Sequence, residues 1–242
     1  MPVKLTVVGC SPAWPNPGSA QSGYLVEGDG RRLLMDCGPG VLARLREREP
    51  WPLVDAIVLT HFHLDHWGDI VPWVFGASFG AGRDTKQAEL WVPPGGSDTL
   101  DSYGGRMGFG KQLRHAFDLH EYEDGVPFRA AGFEVAPVRL VHYKELTFGL
   151  RVTNGSAILA YSGDTAPTPS LAELARDADL FMCEATLAES EPPEERGHLS
   201  AAEAVAAFED SGAKRLLVVH RPEELPLDEG VERAYDGLVL DL

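Results

Sequence analysis

What this chain has little of narrows its class. Cysteine occurs three times in 242 residues, at Cys10, Cys37 and Cys183. An odd count at wide spacing builds no disulfide framework and suits free thiols in a reducing compartment. No apolar run approaches the roughly 20 residues that cross a bilayer, so no membrane partner is expected. The opening "MPVKLTVVGC" lacks the apolar core and cleavage site of a secretory signal, and a cytoplasmic protein is the expectation. Positive charge is scarce as well: 21 Lys and Arg stand against 37 Asp and Glu, a net charge of −16. A protein that tracks long nucleic acid needs a basic stripe. The nearest approach, "GRMGFGKQLRH" with Arg106, Lys111 and Arg114, is a local patch. Long nucleic acid is therefore disfavoured as a partner. A small anionic molecule drawn to a bound cation is not, because the ion dominates its own local field. Internal repeats, low-complexity tracts and Ser/Gly linkers are also missing, so one domain over residues 1–242 is the economical reading.

What is present is a series of short apolar runs. "KLTVVGC" reads as a first strand. "SGYLVEGDGRRLLMDCG" carries Gly28-Asp29-Gly30 between two apolar runs and reads as a β-hairpin. A short helix is expected around Pro39 to Arg48, then the strand "DAIVLT". Further on come "FEVAPVRLVH", "TFGLRVT", "SAILAYSGD", "DLFMCEA" and "RLLVVH". Two helices are interleaved, "SLAELARDA" and "SAAEAVAAFEDSG", each with Ser and Glu at capping-box spacing (Ser170 with Glu173, Ser200 with Glu203). Gly212 stops the second. Continuously apolar strands such as "IVL" and "LLVV" are buried on both faces, so helices must cover the sheets in a layered α/β sandwich. The Gly- and aromatic-rich stretches 73–85 and 101–111 read as mobile loops. The final "GLVLDL" could pack at a subunit contact, and a homodimer is one possible assembly.

The chemistry concentrates where strands stop. "DAIVLT" ends at His61, within "HFHLDH", which also carries His63, Asp65 and His66. "FEVAPVRLV" ends at His142, "AILAYSG" at Asp164 and "RLLVV" at His220. Strand ends along one edge of a sheet are neighbours, and that edge is where α/β folds place their sites. Two histidines two apart point to one side of an extended segment, and a turn then presents Asp65 and His66. Imidazole suits first-row metals and carboxylate suits harder ions, so the mixed set favours Zn²⁺, Mn²⁺ or Fe²⁺. Seven donors over-supply one ion. Two divalent ions about 4 Å apart use them economically.

"THFHLDHWGD" resembles the metal motif of the metallo-β-lactamase-fold hydrolases. The resemblance extends over nearly the whole chain, through "GYLVEGDGRRLLMDCGPG", "YSGDTAPTPSL", "DLFMCEATL", "GHLSAAEAVAAF" and "LLVVHRPEE", and the last four are most similar to the ribonuclease Z-like branch. It implies a four-layer αββα sandwich. It further implies a first metal on His61, His63 and His142, a second on Asp65, His66 and His220, and Asp164 as the bridge. His198, 22 residues before His220, matches the branch's non-ligand histidine that assists phosphodiester cleavage. Asp65 and His198 are the catalytic candidates. The branch's transfer-RNA-gripping arm has no room here, since only 21 residues separate His142 from Asp164.

The expected activity is hydrolysis of a small phosphodiester by hydroxide held between two metals, with His198 protonating the leaving oxygen. Thioester, lactone or β-lactam hydrolysis by the same centre stays open, as does a metal-containing binding protein without turnover. Asp36 reads as a carboxylate behind the ligands or a turn-former, and Glu184 shares that ambiguity. Cys183 reads as core, His115 and His120 as surface residues, and Trp73, Phe75, Phe79 and Phe109 as core or self-packing.

Overall fold

Alternation along single strands decides the layering. In β3 (Arg31–Met35), Leu33 and Met35 face one side and Leu34 the other, and all three are fully buried. A sheet buried on both faces needs a layer on each. The structure is a computed structural model and describes residues 2–192 and 196–242.

The strands form two sheets. The seven-stranded sheet runs in the order β13 (Val239–Asp241), β1 (Lys4–Gly9), β2 (Gly23–Gly28), β3, β4 (Ala56–Val58), β5 (Ala88–Val92), β6 (Phe117–Glu121). The six-stranded sheet runs β12 (Leu216–Val219), β11 (Leu180–Glu184), β10 (Ile158–Tyr161), β9 (Phe148–Thr153), β8 (Phe133–Arg139), β7 (Phe128–Ala130). Between them lie Leu5, Val7, Leu33 and Met35 from one sheet and Phe133, Leu150, Met182 and Leu217 from the other. Among the described residues, five helices cover the outer face of the first sheet: α1 (Val41–Arg46), α2 (Leu64–Trp67), α3 (Ile70–Phe79), α4 (Gly96–Met107) and α5 (Gly110–Ala116). Val41, Trp73, Leu100 and Leu113 pack there with Leu34, Ile57 and Leu90. On the second sheet, α6 (Ser170–Leu174) and α7 (Ala201–Ser211) pack Leu171, Leu174 and Ala204 with Phe181, Cys183 and Val218. This is the expected αββα order. Each fully buried Leu or Phe in it contributes roughly 1.5–3 kcal/mol.

Local signals resolve case by case. The β2–β3 hairpin pairs Gly28 with Arg31, and Asp29 and Gly30 adopt φ of 52° and 72°, the two positive values a type I′ turn requires. Ser200 caps α7 in a full capping box with Glu203, and Gly212 ends it at φ 71°. Ser170 does not behave this way. Pro169 occupies the N-cap of α6, so Ser170 is already helical and makes no cap hydrogen bond.

The stretches 73–85 and 101–111 are largely helical, not loops. Residues 73–79 lie in α3, 101–107 in α4 and 110–111 in α5. Pro72 is tolerated because it sits in the first turn of α3, where the missing N–H has no helical partner to lose. Gly76 is demanded by packing: a Cβ there would lie 2.2 Å from the Trp51 ring. Trp73 and Phe109 are core, while Phe75 and Phe79 are exposed and stack on each other at 6.5 Å. The tail "GLVLDL" supplies the edge strand of the first sheet. Its β13 pairs antiparallel with β1, Lys4 opposite Asp241.

Two features of topology position the site. β3 to β6 run parallel, and so do β10 to β12, so the carboxyl ends of each set share one edge. The two sheets are joined at that rim by the Phe148 N–H, which donates to the Thr60 carbonyl at 3.2 Å.

Candidate metal centre

Each strand run delivers its side chain to this rim. His61 lies three residues beyond the end of β4. His63 is the extended N-cap of α2, and Asp65 and His66 lie in that helix's first turn. His142 follows β8, Asp164 follows β10, and His220 directly follows β12. His220 and Asp36 both adopt positive φ, 51° and 58°, a strained conformation for residues other than glycine.

The donors gather into two groups that share Asp164. Ligand atoms of His61, His63, His142 and Asp164 lie within 4.8 Å of one another, as do those of Asp65, His66, Asp164 and His220. Asp164 Oδ2 faces the first group, 3.9 Å from both His61 Nε2 and His142 Nε2. Its Oδ1 faces the second, 3.3 Å from His66 Nε2 and 3.6 Å from His220 Nε2. Asp65 Oδ2 lies 3.0 Å from His220 Nε2 and 3.4 Å from His66 Nε2. All seven residues expected from the sequence are therefore brought together. All are buried except His63, which is half-buried.

The rings are held from behind. His142 Nδ1 donates to the Gly197 carbonyl at 2.6 Å. His66 Nδ1 meets Asp36 Oδ2 at 2.7 Å, and His61 Nδ1 meets Thr60 Oγ1 at 3.1 Å. Thr186 Oγ1 donates to Glu184 at 2.7 Å and so accepts from His220 Nδ1 at 2.9 Å. With Nδ1 engaged, each of these rings turns Nε2 toward the cluster, the arrangement that fixes tautomer and raises basicity in metal-ligating histidines. Asp36 is itself saturated, accepting from the Thr60 N–H at 2.8 Å and the Tyr161 hydroxyl at 2.9 Å. Its place behind the donors agrees with the sequence reading.

Electrostatics follow from this burial. Burial pushes His61 well below the usual imidazole range, with the neighbouring His66 adding to it. Burial also lowers His142, to about 4. For His66 burial is outweighed by Asp164 and Asp36, which raise it. Asp164 and Asp65 are both held below the carboxylate range, because neighbouring histidines outweigh the cost of burying them.

A metal pair fits these residues. His61 Nε2, His66 Nε2 and Asp164 Oδ1 are buried, face the cluster and have no hydrogen-bond partner among the described residues. Each such atom costs about 1–3 kcal/mol if nothing satisfies it. Imidazole nitrogens with carboxylate oxygens are the donor set of zinc and other first-row divalent metals.

His198 stands beside the two groups. Its Nδ1 lies 2.8 Å from Glu184 Oε1 and 4.0 Å from Asp164 Oδ2, and its ring stacks on His220 at 5.7 Å. Burial would lower its pKa, but Glu184 outweighs burial and lifts it to about 9. Glu184 also accepts from the Thr165 N–H and from both the N–H and hydroxyl of Thr186, so all its lone pairs are spoken for and it orients rather than ligates. Cys183 is buried core, and His115 is exposed. His120 is half-buried and stacks on Trp91 at 4.6 Å, away from the cluster.

Sequence reasoning missed the supports. Thr60, Tyr161 and Thr186 are ordinary strand and loop residues until folded. Arg221 was passed over too. It is buried beside His220, and its guanidinium donates to the carbonyls of Ala185, Leu187, Leu225 and Pro226.

An αββα sandwich with a two-group His/Asp cluster at one rim defines a class, the metallo-hydrolases built on the β-lactamase fold. Comparison with known proteins makes it specific: residues 31–221 match the beta-lactamase superfamily domain, and the chain belongs to that family. It is 30% identical over 224 residues to the probable metallo-hydrolase YhfI of Bacillus subtilis (strain 168), covering 91% of this chain and 87% of the relative. It is 31% identical over 195 residues to ribonuclease Z of Mycobacterium marinum, covering 74% and 69%. The crystal structure of YhfI superposes with a TM-score of 0.86 at 24% identity over 100% of both chains. That of a new diphosphatase from the PhnP family superposes at 0.79 with 22% identity, over 99% and 98%. At these identities the structures show a shared fold. As the sequence suggested, β9 and β10 fill the stretch between His142 and Asp164.

Proposed function

We propose that this chain is a dinuclear metallohydrolase acting on a small anionic phosphodiester. The observation that carries the reading is Asp164, whose two oxygens face two different histidine groups. His61, His63 and His142 would hold one cation, Asp65, His66 and His220 the other, and Asp164 both. Two divalent ions, zinc first and manganese or iron as alternatives, would acidify a shared water and offset charge growing on phosphorus.

The chain's own residues supply the rest. His198, kept protonated by Glu184, donates to the departing oxygen. That geometry favours an ester whose leaving group needs a proton. The relatives' printed activities, ribonuclease Z and a diphosphatase, support phosphorus as the attacked centre. The missing arm and the charge of −16 support a small substrate over a long one.

The test is metal analysis of the purified protein followed by a panel of small phosphodiesters, cyclic nucleotides among them, beside a lactone and a cephalosporin. Asp164→Asn should abolish turnover. His198→Ala should keep its metal and slow alkyl diesters more than aryl ones. Full rate on alkyl diesters in that variant removes His198 as the acid, and turnover of only the lactone or cephalosporin removes the phosphodiester.

A further inference from the structure

Tyr143 is placed at some cost, and nothing in the chemistry described so far uses it. It is not glycine, yet it adopts φ 49°, a conformation that L side chains rarely take. The residue is 52% exposed although its ring adjoins the buried cluster, the centroid 4.9 Å from the His142 ring and 5.8 Å from the His198 ring. One face lies directly on Gly197, where a Cβ would come within 2.2 Å of the ring. Only glycine leaves room for the ring to lie there.

The support beneath the ring is held by hydrogen bonds. The Tyr143 N–H donates to the Arg196 carbonyl, and the Gly197 carbonyl accepts from His142 Nδ1. Arg196 is buried and holds the segment through the His198 and Glu191 carbonyls and a bidentate pair with Glu203 of α7. An aromatic ring backed by glycine on one face, on an exposed residue beside two site histidines, has the form of a stacking platform.

We infer that Tyr143 is a specificity-determining residue that stacks against a planar aromatic ring, such as a nucleobase, carried by the substrate. This rests on the hydrolase reading for its substrate, so the decisive measurement is binding. Phenylphosphonate and cyclohexylphosphonate are similar in charge and size and differ in having a π face. They are titrated calorimetrically into metal-loaded protein, and benzyl methyl phosphate is compared with cyclohexylmethyl methyl phosphate in turnover.

The wild type should prefer the aromatic phosphonate by roughly 2- to 10-fold. Tyr143→Phe should keep the preference. Tyr143→Asn, whose new residue tolerates positive φ, should lose it, and Tyr143→Leu serves as a second ring-free variant. For the diesters the loss should fall on KM for the benzyl compound, with kcat little changed and the saturated compound unaffected. A Tyr143→Asn protein with the wild-type preference overturns the platform, as does a wild type with none. If the preference behaves as expected but neither diester is cleaved, the platform stands and the phosphodiester reading fails.

Discussion

Asp36 offers the sharpest test of how the cluster is built. The carboxylate is fully buried and accepts from four donors: His66 Nδ1, the Thr60 N–H, the Thr60 hydroxyl and the Tyr161 hydroxyl. Asp36→Asn keeps the shape and replaces one oxygen by an NH₂ that points at groups which are themselves donors. At least one of the four loses its acceptor, which should cost about 1–3 kcal/mol of folding stability. The lost charge has a second effect. Without it His66 Nε2 is a weaker donor to a cation, and metal affinity at the Asp65–His66–His220 group should fall about 10- to 100-fold. Zinc or manganese titration of stripped protein by calorimetry, well below its melting temperature, reads the second effect; a denaturant melt of the same protein reads the first. Tyr161→Phe is the control, because it removes one donor to Asp36 and leaves the His66 contact intact, so its affinity should stay within a few-fold. If Asp36→Asn binds both cations with wild-type affinity, Asp36 does not tune His66 and the account of the second group is wrong.

The remaining predictions concern folding and acid stability. Ser200→Ala removes a complete capping box and should cost about 1 kcal/mol in a urea melt, whereas Ser170→Ala, which breaks no cap hydrogen bond, should stay within about 0.5 kcal/mol. Equal losses would contradict the different roles assigned to the two serines. For Glu203, burial is outweighed by hydrogen bonds from Arg196 and Ser200, which hold its pKa at about 2, below the ordinary 4.5. A lowered carboxylate stabilises the fold above pH 4.5 and loses that contribution as pH falls toward 2. At 1.36 kcal/mol per unit, reduced by solvent screening, this is about 1–2 kcal/mol. Glu203→Gln should therefore be less stable at neutral pH and change less between pH 4.5 and 2, and acid titration monitored by circular dichroism checks it.

The sequence made the donors visible because strand ends are marked by a change from apolar to polar, and each of His61, His142, Asp164 and His220 falls at such a change. The capping box at Ser200 was equally legible. Its twin at Ser170 was not, because Pro169 takes the cap position and moves the helix start by one residue. The stretches 73–85 and 101–111 read as loops because glycine and aromatic residues are poor helix formers locally, yet α3 and α4 run through them. Here tertiary packing decides: Gly76 lies under Trp51, and Tyr103 of α4 packs on Trp67 of α2 at 5.2 Å. The supports behind the histidines were hidden for another reason. Thr60, Thr186 and Tyr161 act through contacts to residues as much as 125 positions away, and no local pattern marks them.

Arg221 adds something that the donor set alone does not. Among the described residues its guanidinium hydrogen-bonds four carbonyls and no carboxylate. Burial and the neighbouring Arg233 lower its pKa, and the four carbonyls are what support a cation on the residue after His220. Because it is shielded from solvent, ionic strength weakens its reach less than it would an exposed pair. An approaching anion would otherwise meet the repulsion of a strongly acidic surface. This inlaid cation offsets part of that repulsion from within the protein.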